Sequence, residues 1–349
     1  MQEMAKLRAA IIGAGQIARK SHIPNYLSME DEVEIVGICD RNIEAAKSAA
    51  KENKIPHWFS DHKEMLDTVK PDIVNVCVPN KFHCTAVCDS LDAGCHVLCE
   101  KPPAISYNEA ELMMKKADEC KRLLSYGFHL RHGENVRIMK EKALNGEFGK
   151  IYFAKAEWLR RRGIPGWGNF TNREIQGGGP LIDIGVHMLD IAAYLMDYPE
   201  IDHVSAASHD LIGKRKGVGL LGDWDPERFK VEDSLFGFIR FKNGASLSIS
   251  TSFALNMKEK DRKCLEIYGD RLGASLFPPE TFGEEGNMLT DTQYPFAIDE
   301  DLHLKSLRNF VKACRGEEKL LVTAKQGAYV QRIVEALYKS AEGGEAVRL

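Results

Sequence analysis

The sequence predicts an α/β protein in two parts: a doubly wound parallel sheet, then an α+β half built on a mostly antiparallel sheet. Three observations carry this. From Leu7 to about Tyr126, short apolar runs alternate with amphipathic stretches of helical period, the pattern of strands buried on both faces and joined by crossover helices. After about residue 128 the rhythm changes to alternating runs, with Lys242-Asn243-Gly244 a hairpin turn between two of them. The chain has 349 residues, 44% of them hydrophobic, enough for two domains each with a core.

In the first part, Leu7 to Ile12, Val33 to Cys39, Ile73 to Val78, Cys95 to Cys99 and Leu123 to Phe128 read as buried strands. Between them Gln16 to Ser28, Ile43 to Asn53, Phe82 to Ala93 and Asn108 to Arg122 read as helices, the third stopped by Gly94. The second part opens with a helix from Glu134 to Leu144, a strand from Lys150 to Leu159 and a loop rich in Gly, Trp and Arg from Arg160 to Gly179. A helix from Pro180 to Met196 follows, then strands at Ile201 to Ala207, Ser234 to Phe241, Ala245 to Phe253 and Cys264 to Tyr268. Leu276 to Tyr294, rich in Pro, Glu and Gly, reads as a long surface loop. Asp299 to Cys314 and Thr323 to Ser340 are amphipathic. The expected division is residues 1–126 and 127–349, with the helices of 299–340 packing back on the first domain.

Lys plus Arg number 47 and Asp plus Glu 51, a net charge of −4, so no global field draws nucleic acid or an anionic membrane. No stretch approaches the ~20 apolar residues of a membrane span. The run Ala9 to Ile12 is cut short by Gly13 and Gly15, so no signal peptide is expected. The nine cysteines are odd in number, none forms a C-x-x-C pair, and Cys39, Cys77 and Cys95 lie in or beside apolar runs. Reduced thiols in a cytoplasmic protein, with no metal, is the expectation.

Gly13-Ala14-Gly15-Gln16-Ile17-Ala18 is a G-x-G-x-x-A turn between the first strand and the first helix. Glycines there let the backbone turn tightly and approach a pyrophosphate, whose charge meets the amides of the helix N-terminus. The second strand ends at Asp40, twenty-two residues after Ala18, where a carboxylate can bind the hydroxyls of an adenine ribose. Asp40 would repel a 2′-phosphate and so favours NAD. Arg41 can stack on adenine or receive that phosphate, which leaves NADP as the alternative. The third strand runs into Val78-Pro79-Asn80-Lys81-Phe82-His83 and the fourth into Cys99-Glu100-Lys101-Pro102-Pro103, both at the carboxyl edge of the sheet, where such sheets bind ligands. Lys101, pinned by Pro102, can stabilise an alkoxide or hydrogen-bond a ribose; a solvated strand-end lysine is the competing reading. For Asn80 and His83, helix capping or packing stands beside ligand contact.

Gly177-Gly178-Gly179-Pro180 precedes a helix on which Asp183 and His187 are spaced i, i+4. Two polar groups one turn apart on an apolar helix suit a carboxylate that orients an imidazole acting as general base. They also suit two metal ligands, without a third nearby, or a buried structural hydrogen bond.

Together, Gly13-x-Gly15-x-x-Ala18, Pro79-Asn80-x-x-His83, Glu100-Lys101-Pro102 and Gly179-x-x-x-Asp183-x-x-x-His187 resemble the glucose–fructose oxidoreductase, inositol dehydrogenase and MocA-like (Gfo/Idh/MocA) family, in order and over nearly the whole chain. The resemblance implies an N-terminal Rossmann domain and a C-terminal domain on a large open-faced antiparallel sheet. It also implies hydride transfer between NAD(P) and a ring carbinol of a sugar, glycoside or cyclitol, with Lys101, Asp183 and His187 at the catalytic positions. Gly13, Gly15, Gln16, Ile17, Ala18, Asp40, Arg41, Pro79, Asn80, His83, Glu100 and Lys101 are the expected cofactor contacts.

For the substrate, Trp158, Arg160, Arg161 and Trp167 lie just before the catalytic helix, and His129 and Arg131 just beyond the fifth strand. Arginines fork to sugar hydroxyls or anionic groups, and tryptophans stack on sugar faces, though consecutive arginines at a strand end cannot all point the same way. A glycoside or free sugar is the first choice, a cyclitol the next. A non-catalytic cofactor-dependent sensor, and elimination or hydrolysis by redox cycling on tightly held NAD, are the other readings. Alternation of Leu235, Gly237 and Ile239 with Phe236, Phe238 and Arg240 leaves residues to bury on both sheet faces, so a homodimer or homotetramer is expected.

Overall fold

A computed structural model of the chain describes residues 5–297 and 301–349. The chain divides into two units, Met1–His129 with Glu300–Ala328, and Leu130–Asp299 with Tyr329–Leu349.

The first unit is built on β1 (Leu7–Ile12), β2 (Val33–Cys39), β3 (Trp58–Phe59), β4 (Ile73–Val76), β5 (His96–Cys99) and β6 (Leu124–Tyr126). Among the described residues these form one parallel sheet in the order β3-β2-β1-β4-β5-β6. The order reverses between β1 and β4, the switch point at which a doubly wound sheet opens a ligand crevice. Ala9 to Ile12 of β1 and all of β4 are buried, which is why both read as apolar runs, that of β4 broken by Asn75.

The crossovers are α1 (Ile23–Leu27), preceded by a π-type turn over Ala18–His22, then α2 (Ile43–Asn53), α3 (His62–Val69), α4 (His83–Asp92) and α5 (Tyr107–Cys120). Side chains close the open amides at their starts: Asn42 accepts from Glu44 and Ala45, Asp61 from Lys63 and Glu64, and Ser106 from Glu109. Sequence patterning missed β3 and α3, because a two-residue edge strand has no period to read and α3 is largely polar.

In the second unit, α6 (Glu134–Leu144) leads to β7 (Ile151–Arg160), the short α7 (Arg173–Gln176) and α8 (Val186–Leu195), which continues a π-type turn over Leu181–Gly185. Then come β8 (Ile201–His209), β9 (Ser234–Phe241), β10 (Ser246–Ser252), β11 (Asp261–Gly269), β12 (Gly273–Leu276), β13 (Pro279–Glu285) and β14 (Met288–Gln293). With β15 (Val347–Arg348) they make a sheet ordered β14-β13-β12-β11-β7-β10-β9-β8-β15 among the described residues. All pairs are antiparallel except β7 with β10.

The long loop expected over 276–294 is instead the β13–β14 hairpin. Its strands are charged and mostly exposed, so they lack apolar alternation, but Gly286 and Asn287 at φ 58° and 61° form the two-residue turn that suits strand twist. One sheet face buries Ala154, Ala156, Leu247, Ile249 and Leu265 beneath α8. The opposite face carries Phe153 stacked on Tyr268 at 5.6 Å and the exposed rings of Phe236 and Phe238.

Of the two C-terminal helices, α9 (Leu302–Cys314) starts at its cap Asp301; the expected start at Asp299 lies outside the described residues. Leu307, Phe310 and Val311 of α9 join Ala9, Tyr26, Ile73 and Leu98 in one core cluster, each such side chain contributing about 1.5–3 kcal/mol of burial. Helix α10 (Ala324–Gly343) has its first residues in the first unit and the rest in the second. Among the described residues no helix is long and apolar enough to cross a membrane.

Candidate active-site residues

The turn after β1 is tied down before any ligand is considered. Gly13 has φ 104°, and a Cβ there would lie 2.4 Å from the Cys77 carbonyl oxygen, so glycine is required. Its amide donates to Cys39 O at 2.7 Å, while Ala14 N donates to Asp40 Oδ2 at 2.8 Å and Asn42 N to Oδ1 at 2.9 Å. A Cβ on Gly15 would meet nothing within 4 Å; Gly15 and Gln16 are exposed, Ile17 is half-buried and Ala18 buried. This is a bare backbone cradle backed by a carboxylate with lone pairs to spare, and it fits a dinucleotide: close approach at Gly15, a ribose at Asp40. The Arg41 guanidinium lies 5.9 Å from the Phe82 ring centroid.

Pro79 is extended and opens a 3₁₀ turn, Asn80–Phe82, with Asn80 buried. His83 departs from expectation. It is fully buried, with Nδ1 2.9 Å from Pro102 O and Nε2 2.9 Å from Val78 O. The ring lies between two backbone carbonyls, and in its neutral form it donates to one of them, so His83 packs the turn before α4 against the segment after β5. Burial holds its imidazole below the ordinary value, against the pull of those carbonyls.

Glu100 is likewise turned inward. His22 Nε2 lies 2.8 Å from Glu100 Oε1, and the Lys101 amide donates to Oε2 at 3.3 Å. Burial acts to raise this carboxyl, but the hydrogen bond with His22 and the neighbouring Lys101 charge bring it down to about 2. Glu100 thus spends one oxygen on His22 inside the unit, and Lys101, half-buried, follows it at the strand end. His129 stacks on His303 with ring centroids 4.0 Å apart. Burial, then the neighbouring His303, pushes His129 down to about 4.

In the second unit Arg131 is fully buried in an ion pair with Asp190, so its fork is used inside the protein and the expected substrate contact is corrected. The three arginines at the end of β7, Arg160 to Arg162, diverge as strand geometry requires. Arg160 lies over Trp158 at 5.4 Å and pairs with Asp261; Arg161 reaches Lys258 O at 3.3 Å and Arg162 reaches Asn256 Oδ1 at 2.6 Å. Arg161 thus faces a neighbouring loop. Trp158 carries more: its ring is 5.9 Å from that of His187, Lys263 Nζ sits 4.2 Å from its centroid, and its Nε1 donates to Asp261 at 3.4 Å. Trp167 is exposed, with the edge of the Phe170 ring 6.2 Å from its own.

Asp183 and His187 fall on either side of the junction between the π-type turn and α8, Asp183 half-buried and His187 buried. The glycine run before them is explained by Glu232, whose Oε2 accepts from Gly179 N at 2.9 Å. Its Oε1 accepts from Leu181 N at 3.3 Å and from Tyr338 Oη at 2.7 Å. A Cβ on Gly178 would lie 2.1 Å from that same Tyr338 oxygen. Sequence reasoning missed Glu232, Lys263 and His22. Lys263 and Trp158 are register partners on adjacent strands, a pairing invisible until β7 and β11 are aligned.

Residues 7–128 match the Gfo/Idh/MocA oxidoreductases at the NAD-binding Rossmann fold, and residues 140–349 match the C-terminal α/β domain of the same family. D-glucoside 3-dehydrogenase of Escherichia coli strain K12 is 44% identical over 344 residues, 98% of this chain and 97% of that protein. Myo-inositol 2-dehydrogenase of Thermotoga maritima is 25% identical over 363 residues, 98% of each. Among solved structures, levoglucosan dehydrogenase in complex with NADH shares the fold with a TM-score of 0.85 at 21% identity, over 99% of both chains.

Proposed function

Since the chain belongs to the Gfo/Idh/MocA oxidoreductase family, we propose that it is an NAD-dependent dehydrogenase of D-glucosides that oxidises the ring hydroxyl at carbon 3 to a ketone. Its class is that of the NAD(P)-dependent dehydrogenases acting on a CH–OH group of sugars and cyclitols. The glucoside is carried by one observation, the 44% identity to a D-glucoside 3-dehydrogenase along 98% of the chain.

In this reading Gly13, Gly15, Gln16, Ile17 and Ala18 hold the pyrophosphate, Asp40 the adenine ribose, and Pro79 and Asn80 flank the crevice. Bound NAD supplies the carbon that accepts hydride. His187 takes the substrate hydroxyl proton on its imidazole, Asp183 favours the resulting imidazolium, and Lys101 Nζ hydrogen-bonds the oxygen as charge develops there. Trp158, beside His187, lines the sugar site with Arg160 and Lys263. The first unit serves the cofactor, with its boundary near residue 126. The second serves substrate and self-association through the face that bears Phe236, Phe238 and Tyr268. The nine free thiols suit a cytoplasmic protein.

The test is NADH formation with purified protein across alkyl and aryl D-glucosides, free glucose, glucose 6-phosphate and inositols, with product ketone located by NMR. Glucosides should give the highest kcat/KM. A clear preference for inositols, or oxidation at another carbon, would reject the proposal.

A further inference from the structure

Tyr26, Asn75, His22 and Glu100 form an unbroken line of hydrogen bonds through the interior of the first unit. Tyr26 Oη donates to Asn75 Oδ1 at 2.5 Å, Asn75 Nδ2 meets His22 Nδ1 at 2.5 Å, and His22 Nε2 meets Glu100 Oε1 at 2.8 Å. All four side chains are buried. Polar groups in a dry core cost stability unless every one is satisfied, and Asn75 interrupts the apolar run of β4 in mid-sheet. The arrangement has a direction. The Tyr26 proton occupies Asn75 Oδ1, which turns the Nδ2 hydrogens toward His22; Nδ1 of the ring must then accept, so the ring proton sits on Nε2 and points at Glu100.

The line ends on the segment that bears Lys101. Glu100 Oε2 accepts from the Lys101 amide, and the carboxylate fills the space over Gly127, where a Cβ would be 2.9 Å from Oε2. On the other side of Lys101, Pro102 O is met by His83 Nδ1. We propose that Tyr26, Asn75 and His22 are positioning residues for Lys101: the hydroxyl sets the amide, the amide sets the imidazole tautomer, and the imidazole fixes the Glu100 carboxylate from which the Lys101 peptide is held. This rests on the reading of Lys101 as the group that stabilises the alkoxide. A Glu100 released from His22 competes for the Lys101 ammonium, one residue away, and withdraws the charge that the alkoxide needs.

The test compares His22→Leu with His22→Gln, whose amide offers one donor and one acceptor at about the spacing of the two ring nitrogens. In His22→Leu, kcat on the best glucoside should fall about 10- to 100-fold, as expected for a misplaced reacting group, with KM and NAD affinity little changed. In the cofactor-free protein, the rate at which acetic anhydride labels Lys101, read by mass spectrometry against exposed Lys51 and Lys121, should fall too, because the released Glu100 pairs with the ammonium. His22→Gln should restore most of both. Wild-type labelling of Lys101 in folded His22→Leu would overturn the proposal, and labelling decides it even if no sugar proves to be a substrate. If His22→Leu does not fold, Tyr26→Phe replaces it: without the hydroxyl the Asn75 amide is free to turn over and demand a proton from Nδ1. The Lys101 labelling rate should then change in the same direction, and a wild-type rate would be equally fatal.

Discussion

Arg131 donates from Nε to Asp190 Oδ2 at 3.0 Å and from a terminal nitrogen to Oδ1, and neither side chain reaches solvent. Tyr194 and Tyr198 cover the guanidinium at 4.8 and 5.9 Å. Such a fork in a dry site is costly to break from one side, because the remaining charge has nowhere to go. Arg131→Met should destabilise the protein by about 3–5 kcal/mol. Adding Asp190→Leu should recover much of the loss. Urea unfolding of the single and double variants checks this; equal stability of Arg131→Met and wild type would contradict a buried structural role for the pair.

The catalytic assignment separates turnover from binding. Interactions that strengthen as charge develops act on kcat more than on cofactor affinity. His187→Ala and Lys101→Ala should each lower kcat by about a hundred- to ten-thousand-fold and still bind NAD. Asp183→Asn should lose a smaller part of the rate, since an amide cannot stabilise an imidazolium. The measurements are steady-state kinetics and calorimetric NAD titration on variants with native circular dichroism. Near-normal turnover by His187→Ala would move the base elsewhere.

Much of this was legible in the chain itself. Strands buried on both faces leave mainly apolar runs, so β1, β2 and β4 could be read with near-correct bounds, and the family resemblance carried by Gly13-x-Gly15 and Glu100-Lys101-Pro102 holds over both halves. What escaped is where polar side chains spend their hydrogen bonds. His83 and Arg131 have the chemistry of ligand contacts, but only the fold reveals that His83 is enclosed between Pro102 O and Val78 O and that Asp190 takes the Arg131 fork. Asn75 left a trace, a polar residue inside the run Ile73–Val76. Glu232 left none, because its partner Tyr338 is 106 residues away. The β13–β14 hairpin was hidden by charged strands, although Gly286-Asn287 was the signal for its turn.

Asp40 holds the turn, and in the proposed reading it also sets cofactor choice. Its carboxylate repels a 2′-phosphate, so NAD should bind more tightly than NADP, and Asp40→Ala should narrow that gap. Because Oδ2 also accepts from Ala14 N, the same variant should weaken NAD itself. Calorimetric titration with both dinucleotides reads the two effects; tighter NADP binding to the unmodified protein contradicts the assignment.

Glu232 closes the N-terminal side of the segment that carries Asp183. Glu232→Ala strips an acceptor from Gly179 N, Leu181 N and Tyr338 Oη at once. Each orphaned group of this kind costs about 1–3 kcal/mol when water cannot replace the partner. Thermal unfolding should therefore shift down, and kcat should fall further than NAD affinity because the disturbed turn leads into His187. Glu232→Gln retains one acceptor oxygen and should lose less of both. An Ala variant as stable and active as wild type would show that the glycine run holds its shape without the carboxylate.

Acid should weaken the first unit in two overlapping steps. His129 is held at about 4 in the folded protein against an ordinary 6.5, by burial and by His303. Between those values the unfolded chain takes up a proton that the native ring refuses, so stability is lost as pH falls from about 6.5 toward 4. Glu100 stands at about 2 against an ordinary 4.5, because the hydrogen bond with His22 and the nearby Lys101 charge outweigh burial. Its contribution is present above about 4.5 and is lost as pH falls toward 2, by the same sign argument. Each step has a limiting slope of about 1.4 kcal/mol per pH unit. Thermal unfolding followed from pH 8 to pH 3 should show a continuous decline that begins near pH 6.5. His129→Gln should remove the part of the decline above pH 4.5 that His129 supplies and leave the lower limb in place. An unfolding temperature in the unmodified protein that stays level from pH 6.5 to 4.5 would contradict the assignment of His129 as a buried neutral imidazole.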